Sequence, residues 1–479
     1  MLLFEALYVL AGAILSLYGL NSLVLTIIYW LRRRRVAPLM DSPETWPIVT
    51  VQLPIYNEQY VVERLIAAAC ALDYPRDRLE IQVLDDSTDE TREIARATVR
   101  HYHEAGFQVR YLHRADRAGF KAGALQAGLA QAHGEFVAIF DADFCPTPDF
   151  LRRTVPAFTD SRVGCVQARW AHLNSDYSAL TRAQALGLDG YFAVEQAARH
   201  LSGTFLCFNG TAGIWRRTCI EDAGGWQADT LTEDLDLSYR AQLRGWRFVY
   251  RPDVAVPGEL PVQMDGFKRQ QSRWATGGLQ CARKILPQLW RSSVPLWVKI
   301  EETLYLTRHV CYPLILFLAL CTLPMVLNPT PALDFMVVFL LAALGAPLLY
   351  LSALIALYPR WWTRLPYLPL MMVVGTGISL NNSRALWQGL RHPGLPFLRT
   401  PKFGIRRAGE RWSGNRYALR AGPVVWVELL LAAYVTAALV LALWTGQIGL
   451  VPWLAFYALG FAYVAGSSLW QTRNVMCKA

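Results

Sequence analysis

The stretch "VAIFDADF" (residues 137–144) begins as a buried strand and ends in acid. Val137, Ala138, Ile139 and Phe140 are apolar, and Asp141 and Asp143 follow with a single alanine between them. On an extended segment residues two apart share a face, so both carboxylates are expected to point the same way. Like charges placed so repel, and each is costly to bury without a partner. A solvated loop after a strand is one explanation. A bound hard cation is the other, because Mg2+ or Mn2+ takes carboxylate oxygens together with those of a diphosphate.

Outward from this stretch the pattern is strand and helix in alternation. Ile48–Leu53, Ile81–Leu84, Val109–Leu112, Phe136–Phe140 and Val163–Gln167 are short β-branched or aromatic runs. Helical patterns lie between them at Tyr60–Leu72, Asp89–Ala105 and Lys121–Gln131. Such alternation predicts a mostly parallel sheet with flanking helices, an α/β domain over residues 46–265. Open sheets of this kind bind ligands beyond the carboxyl ends of their strands. The residues just past three of those ends are "PIYNE" (54–58), "DDSTD" (85–89) and "DADF" (141–144). The chain carries no GxGxxG after its first strand and no GxxxxGK[ST], so a bound nucleotide is held in some other way.

The flanks of this domain are apolar. Of the 479 residues 53% are hydrophobic, and the formal net charge is +10. Residues 6–30 carry no charge and can cross a bilayer, with Arg32, Arg33, Arg34 and Arg35 directly after. Charges that follow the apolar run, rather than precede it, argue for an anchor over a cleaved leader, and they predict that this end lies in the cytoplasm and the N-terminus outside. Further crossings are expected near 304–327, 334–357, 423–444 and 449–470. Residues 365–380 are apolar but short and have basic flanks on both sides, which predicts a re-entrant or interfacial segment. The loop near 328–332 is then expected outside and the C-terminus inside. With these spans the basic excess suits a membrane surface or an anionic substrate and not nucleic acid. Nine scattered cysteines, none in a CxxC pair, argue against a zinc cluster or a disulfide framework.

Three more stretches carry chemistry. In "TEDLDL" (232–237) Asp234 is placed to take a proton from an attacking hydroxyl; equally, Thr232 is placed to cap a helix whose first turn holds Glu233 and Asp234. In "QQSRW" (270–274) Arg273 suits a phosphate and Trp274 a sugar face, or both sit on an amphipathic helix at the membrane, within an interfacial region 266–300. Lys121, in "RAGFKAGAL" (117–125), stands at a helix start, where a cation opposes the helix dipole and an anion would relieve it.

In this order and spacing, "DDSTD", "DADF", "TEDLDL" and "QQSRW" resemble the D, DxD, TED and QxxRW signature of processive family 2 glycosyltransferases. The chain is most similar to the cellulose synthase-like A group of glucomannan and mannan synthases, through "VQLPIYNE", "KAGAL", "VQARW", "FNGTAGIWR" and "AGGW" as well. The resemblance implies a GT-A domain facing the cytosol and α-helical transmembrane segments over 301–479. It implies a nucleoside pocket at Tyr56, Glu58 and Asp86, with Lys121 on the diphosphate and Asp141 on the donor. Asp143, with Asp141, would hold Mg2+ or Mn2+. Asp234, with Glu233 beside it, would be the base. Gln270, Arg273 and Trp274 would meet the leaving group and the acceptor, and Asn209, Gly210 and Thr211 the acceptor terminus. A gating loop of this family, FxVTxKG, is similar to "FLRTPKFG" (397–404), inside the basic stretch 384–420, with Thr400 and Lys402 in place. Arg399 and an extra Phe before Gly404 depart from it. The implied partners are a sugar nucleotide, UDP-glucose or GDP-mannose, a growing polysaccharide and membrane lipids. A non-processive enzyme with a lipid acceptor is the alternative.

Overall fold

Seven strands form one sheet: β1 (Val49–Ile55), β2 (Leu79–Asp85), β3 (Val109–His113), β4 (Phe136–Ile139), β5 (Val163–His172), β6 (Gly213–Arg216) and β7 (Arg247–Gly258). Their order is β3-β2-β1-β4-β6-β5-β7. The coordinates are a computed structural model, and the structure describes residues 2–34, 43–328, 343–392 and 395–476. β6 runs antiparallel to β4 and β5; every other pairing is parallel. Six strands therefore end at one edge. β1 and β2 are almost wholly buried, as expected where helices cover both faces of a parallel sheet. The polar side chains in them are paired across strands: Thr50 donates to Glu80 (2.7 Å) and Gln52 to Gln82 (3.1 Å). This mixed, mostly parallel sheet with helices on its faces is the arrangement expected of a GT-A domain.

β1 to β5 lie within a few residues of their sequence-based positions, apart from β5, which runs on to His172. β6 and β7 do not follow from the sequence pattern. β6 is only four residues long, and β7 contains Pro252 and Pro257, which is tolerated because it is an edge strand. A second correction concerns Asp141 and Asp143. β4 stops at Ile139, and the chain turns, with Phe144 N–H donating to Asp141 O at 3.0 Å. The carboxylates are therefore not aligned on an extended segment. Each meets a different lysine, which relieves the repulsion an extended pair would suffer.

Helix Glu233–Leu243 starts at the expected place, but the Thr232 side chain does not cap it. Its hydroxyl lies 3.3 Å from Cys281 Sγ, on the long helix Met264–Arg291 that packs across it. Further back, Ala179–Asp189, a π-helical turn Gly190–Glu195 and Gln196–Ser202 follow one another without a break. Such a turn is uncommon and re-aims the side chains it carries.

Among the described residues, four helices are long and apolar enough to cross a membrane: Glu5–Arg32, Leu296–Leu327, Val424–Trp444 and Ile448–Val475. The second begins earlier than expected, at Leu296. Of the expected crossing 334–357 the structure describes an apolar helix, Gly345–Leu357; its first part, the loop tip beyond Asn328 and the last three residues lie outside the described residues. Segment 365–380 contains an 11-residue helix, Tyr367–Gly377, about 16 Å long and short of a bilayer's roughly 30 Å. Helix Ser379–Arg391 then packs on Met264–Arg291, with Thr276 donating to Ala385 O at 3.1 Å. The eight described cysteines are free.

Candidate active site

One cavity opens at the carboxyl edge of the sheet. It is bordered by Tyr56 and Glu58 past β1, Asp86 past β2, Asp141 and Asp143 past β4, and His172 and Glu259 at the ends of β5 and β7. Lys121, Asn209, Gly210, Glu233, Asp234, Gln270, Arg273 and Trp274 line it too, and so do Thr400 and Lys402. Every residue singled out from the sequence thus borders the same space except Thr211. Its side chain is buried beneath the cavity, where its hydroxyl accepts from the Asp141 backbone N–H at 2.9 Å.

The centre is a cluster of opposed charges. Lys121 Nζ donates to Asp141 Oδ1 (2.5 Å) and Gly210 O (2.8 Å), and lies 3.8 Å from Glu233. Burial works to lower its pKa, but the carboxylates of Asp141 and Glu233 outweigh that and raise it. Asp234 stands one residue further along the helix. Burial first, then the charge of Glu233, pushes its carboxyl up to about 7, against the pull of Lys121. A carboxyl so tuned exchanges a proton near neutrality, as a general base must. Glu233 is also raised, again chiefly by burial. Burial presses the Arg273 guanidinium down, opposed by Asp141, Glu233, Asp234 and Asp143.

Gly210 explains how these groups come so close. Its φ is +80°, and a Cβ there would sit 2.9 Å from Asp234 Oδ2 and 3.2 Å from Lys121 Nζ. Only glycine fits. Two residues on, Ala212 also has positive φ, +56°, and local strain of this kind persists where surrounding contacts impose it. Those contacts are visible: Asn209 N–H donates to Gln167 at 3.0 Å, and Gln167 donates to Thr211 O and Ala212 O at 3.1 Å each.

Toward β1 and β2 the cavity is aromatic and cationic. The Arg117 guanidinium lies 3.4 Å over the Tyr56 ring, and Arg114 holds Asp86 at 2.5 Å. Burial pushes the Glu58 carboxyl up to about 8, against the pull of Arg399, 3.1 Å away. The segment 397–404 reaches into this end. Lys402 donates to Asp143 Oδ2 (2.7 Å) and Glu259 O (2.6 Å), while the Phe403 and Gly404 N–H groups donate to the Glu259 carboxylate. Phe397 lies 4.6 Å beneath Arg273.

Sequence reasoning missed Arg117, Trp170, His172 and Glu259. Arg117 stands in "RAGFKAGAL" but carries no motif of its own. Glu259 follows a strand end in "PGELP" (257–261), the signal that marked the other acids, and was lost with β7.

Residues 47–277 match the family described as Glycosyltransferase like family 2. Glucomannan 4-beta-mannosyltransferase 2 of Arabidopsis thaliana is 44% identical over 291 residues, 58% of this chain and 54% of that protein. Glucomannan 4-beta-mannosyltransferase 1 of Oryza sativa subsp. japonica is 42% identical over 303 residues, 60% of this chain and 58% of that protein. The chain spans little more than half the length of these curated relatives. Among solved structures, mannosyltransferase PcManGT of Pyrobaculum calidifontis, in complex with GDP-Man and Mn2+, matches with a TM-score of 0.57 at 23% identity, over 81% of this chain and 99% of that one. That likeness bears on the fold.

Proposed function

We propose, from the premise that residues 47–277 are a family 2 glycosyltransferase domain, that the protein is an inverting β-glycan synthase using GDP-mannose as donor. The reading rests on one observation: residues from eight separate stretches of sequence border a single cavity at the carboxyl edge of the sheet. The names of the relatives favour mannose over glucose, as does the GDP-Man held by the structural neighbour.

Asp141 and Asp143 supply carboxylate oxygens at the expected cation site, and each already attracts an ammonium, from Lys121 and Lys402, so the place draws positive charge. The described residues gather no group of three or more metal-ligating side chains, which fits an ion that completes its shell with phosphate oxygens. Asp141 and Asp143 would hold Mg2+ or Mn2+, and the ion would offset charge on the departing diphosphate.

Tyr56, stacked under Arg117, offers a flat face to the nucleoside. Lys121 and Arg273, which both line the cavity, would face the diphosphate, and Trp274 would offer a face to the acceptor sugar. Asp234 takes the proton of an acceptor hydroxyl as that oxygen bonds to the anomeric carbon. The carbon–oxygen bond to the diphosphate breaks, and its electron pair leaves with the nucleoside diphosphate. A single displacement turns an α-linked donor into a β-linked product. The apolar helices would anchor the domain at the membrane and form a path for the polymer.

The test is turnover by detergent-purified protein with GDP-mannose or UDP-glucose and Mg2+ or Mn2+, followed by digestion with linkage-specific glycanases. A β-mannanase-sensitive polymer from GDP-mannose is expected. A singly glycosylated lipid as the sole product would overturn the synthase reading, and a glucanase-sensitive polymer would overturn the donor.

A further inference from the structure

His172 ends β5 and lines the cavity, yet no motif includes it. Its side chain is 5% exposed. Its Nε2 lies 3.0 Å from Asp189 Oδ1, and Tyr358 O–H donates to Asp189 Oδ2 at 2.6 Å. An ionised carboxylate only accepts, so Asp189 takes a hydrogen bond from both neighbours and the imidazole carries its proton on Nε2. Nδ1 is left with a lone pair and no partner among the described residues. At the cavity wall that lone pair is open to a donor from whatever fills the cavity.

The position says what that is. β5 lies on the opposite side of β4 from β1 and β2, so His172 faces the cavity from the side away from Tyr56 and Asp86. Two residues before it, Trp170 donates to Thr211 O at 3.5 Å and stacks on Phe192, 4.9 Å away in the π-helical turn. The same turn supplies Tyr191, whose hydroxyl accepts from Asn209 at 2.9 Å. His172 therefore belongs to the wall that also holds Asn209, away from the nucleoside end.

The geometry points to His172 as an acceptor-sugar residue: Nδ1 accepts a hydrogen bond from a hydroxyl of the glycan being extended, with Asp189 and Tyr358 as positioning residues that set its tautomer and ring angle. This rests on the synthase reading, and the test separates the two.

Equilibrium binding of β-1,4-mannohexaose and of GDP is measured on the full chain in detergent for the wild type, His172→Phe and His172→Asn, beside transfer to the hexaose. His172→Phe keeps the ring volume and removes the acceptor; it is expected to weaken hexaose binding about tenfold and leave GDP binding unchanged. His172→Asn puts an amide oxygen near the Nδ1 position and recovers most of that loss. Tyr358→Phe, which leaves His172 in place, weakens hexaose binding about twofold and serves if His172→Phe does not fold. An unchanged hexaose affinity in these variants, an equal loss of GDP affinity, or a wild type that does not bind hexaose overturns the assignment. A wild type that binds hexaose but does not extend it refutes the synthase and leaves the binding assignment standing.

Discussion

Two parts of this molecule bury charge, and they do so differently. Beneath helix Gln196–Ser202, Arg199 is wholly buried and saturated: it donates to Glu301 (2.8 Å), Glu302 (2.5 Å) and Phe205 O (2.7 and 3.1 Å). Glu302 in turn accepts from Tyr239 O–H (2.5 Å) and Phe205 N–H (2.8 Å). At the sheet edge seven carboxylates, from Glu58, Asp86, Asp141, Asp143, Glu233, Asp234 and Glu259, face five cations, from Arg117, Lys121, Arg273, Arg399 and Lys402, while Arg114 and Arg64 pair with Asp86 and Glu259 from behind the wall. Thr400 Oγ1 is buried there without a partner. The first set is closed, joining the domain to the helix that starts at Leu296. The second opens onto a cavity and holds carboxyls raised by burial. Burial of charge does not by itself mark an active site; burial of perturbed carboxyls at a cavity does.

The sharpest way to break this contrast is Asp234→Asn. Transfer should fall about 10²- to 10⁴-fold while titration still shows nucleotide binding. Normal turnover would remove the base and with it the meaning of the open cluster. Arg199→Met attacks the other side. Leaving Glu302 buried without its cation should cost about 3–5 kcal/mol of stability, read as a lowered unfolding midpoint in detergent. Specific activity of the folded fraction should stay near wild type; a loss as steep as that of Asp234→Asn would show the closed set to be part of the site.

The pH profile sharpens the contrast further. With the Asp234 carboxyl near 7, transfer should fall about tenfold per unit below that pH and level off above it. The linkage has a definite sign. A carboxyl raised on folding holds its proton in the native state between its unfolded value of 3.8 and about 7, so stability declines as pH rises through that window. Asp234→Asn should therefore unfold later than wild type above pH about 7, with the gain vanishing below about 4. The smallest effect is expected from Gly210→Ala. At φ +80° the new Cβ costs about 1–2 kcal/mol and presses on Asp234 and Lys121, so turnover should fall more than stability does. Equal losses in both would make Gly210 a matter of backbone alone.

Much of the site is legible in the amino-acid sequence because its residues follow strand ends. "PIYNE", "DDSTD" and "DADF" each interrupt an apolar run with acid, and folding places the ends of parallel strands on one edge. Glu259 obeys the same rule and was lost because β7, with its prolines and charges, does not look like a strand. His172 was lost for another reason. One histidine after a strand has no pattern; its partner Asp189 lies 17 positions away, and Tyr358, which holds Asp189, a further 169.

Local order in the chain decided what kinds of element form and which acids end them, since apolar runs, turns and helix starts depend on neighbours in sequence. Contacts between distant segments decided the rest: that Asp141 and Asp143 part to separate lysines, that a glycine lets Asp234 approach Lys121, and that Asp234 titrates near neutrality. The reason is that dielectric, charge spacing and hydrogen-bond partners are properties of the space around a side chain. That space is walled by β1, β4, helices Glu233–Leu243 and Met264–Arg291 and the segment 397–404, which meet only when the chain is folded.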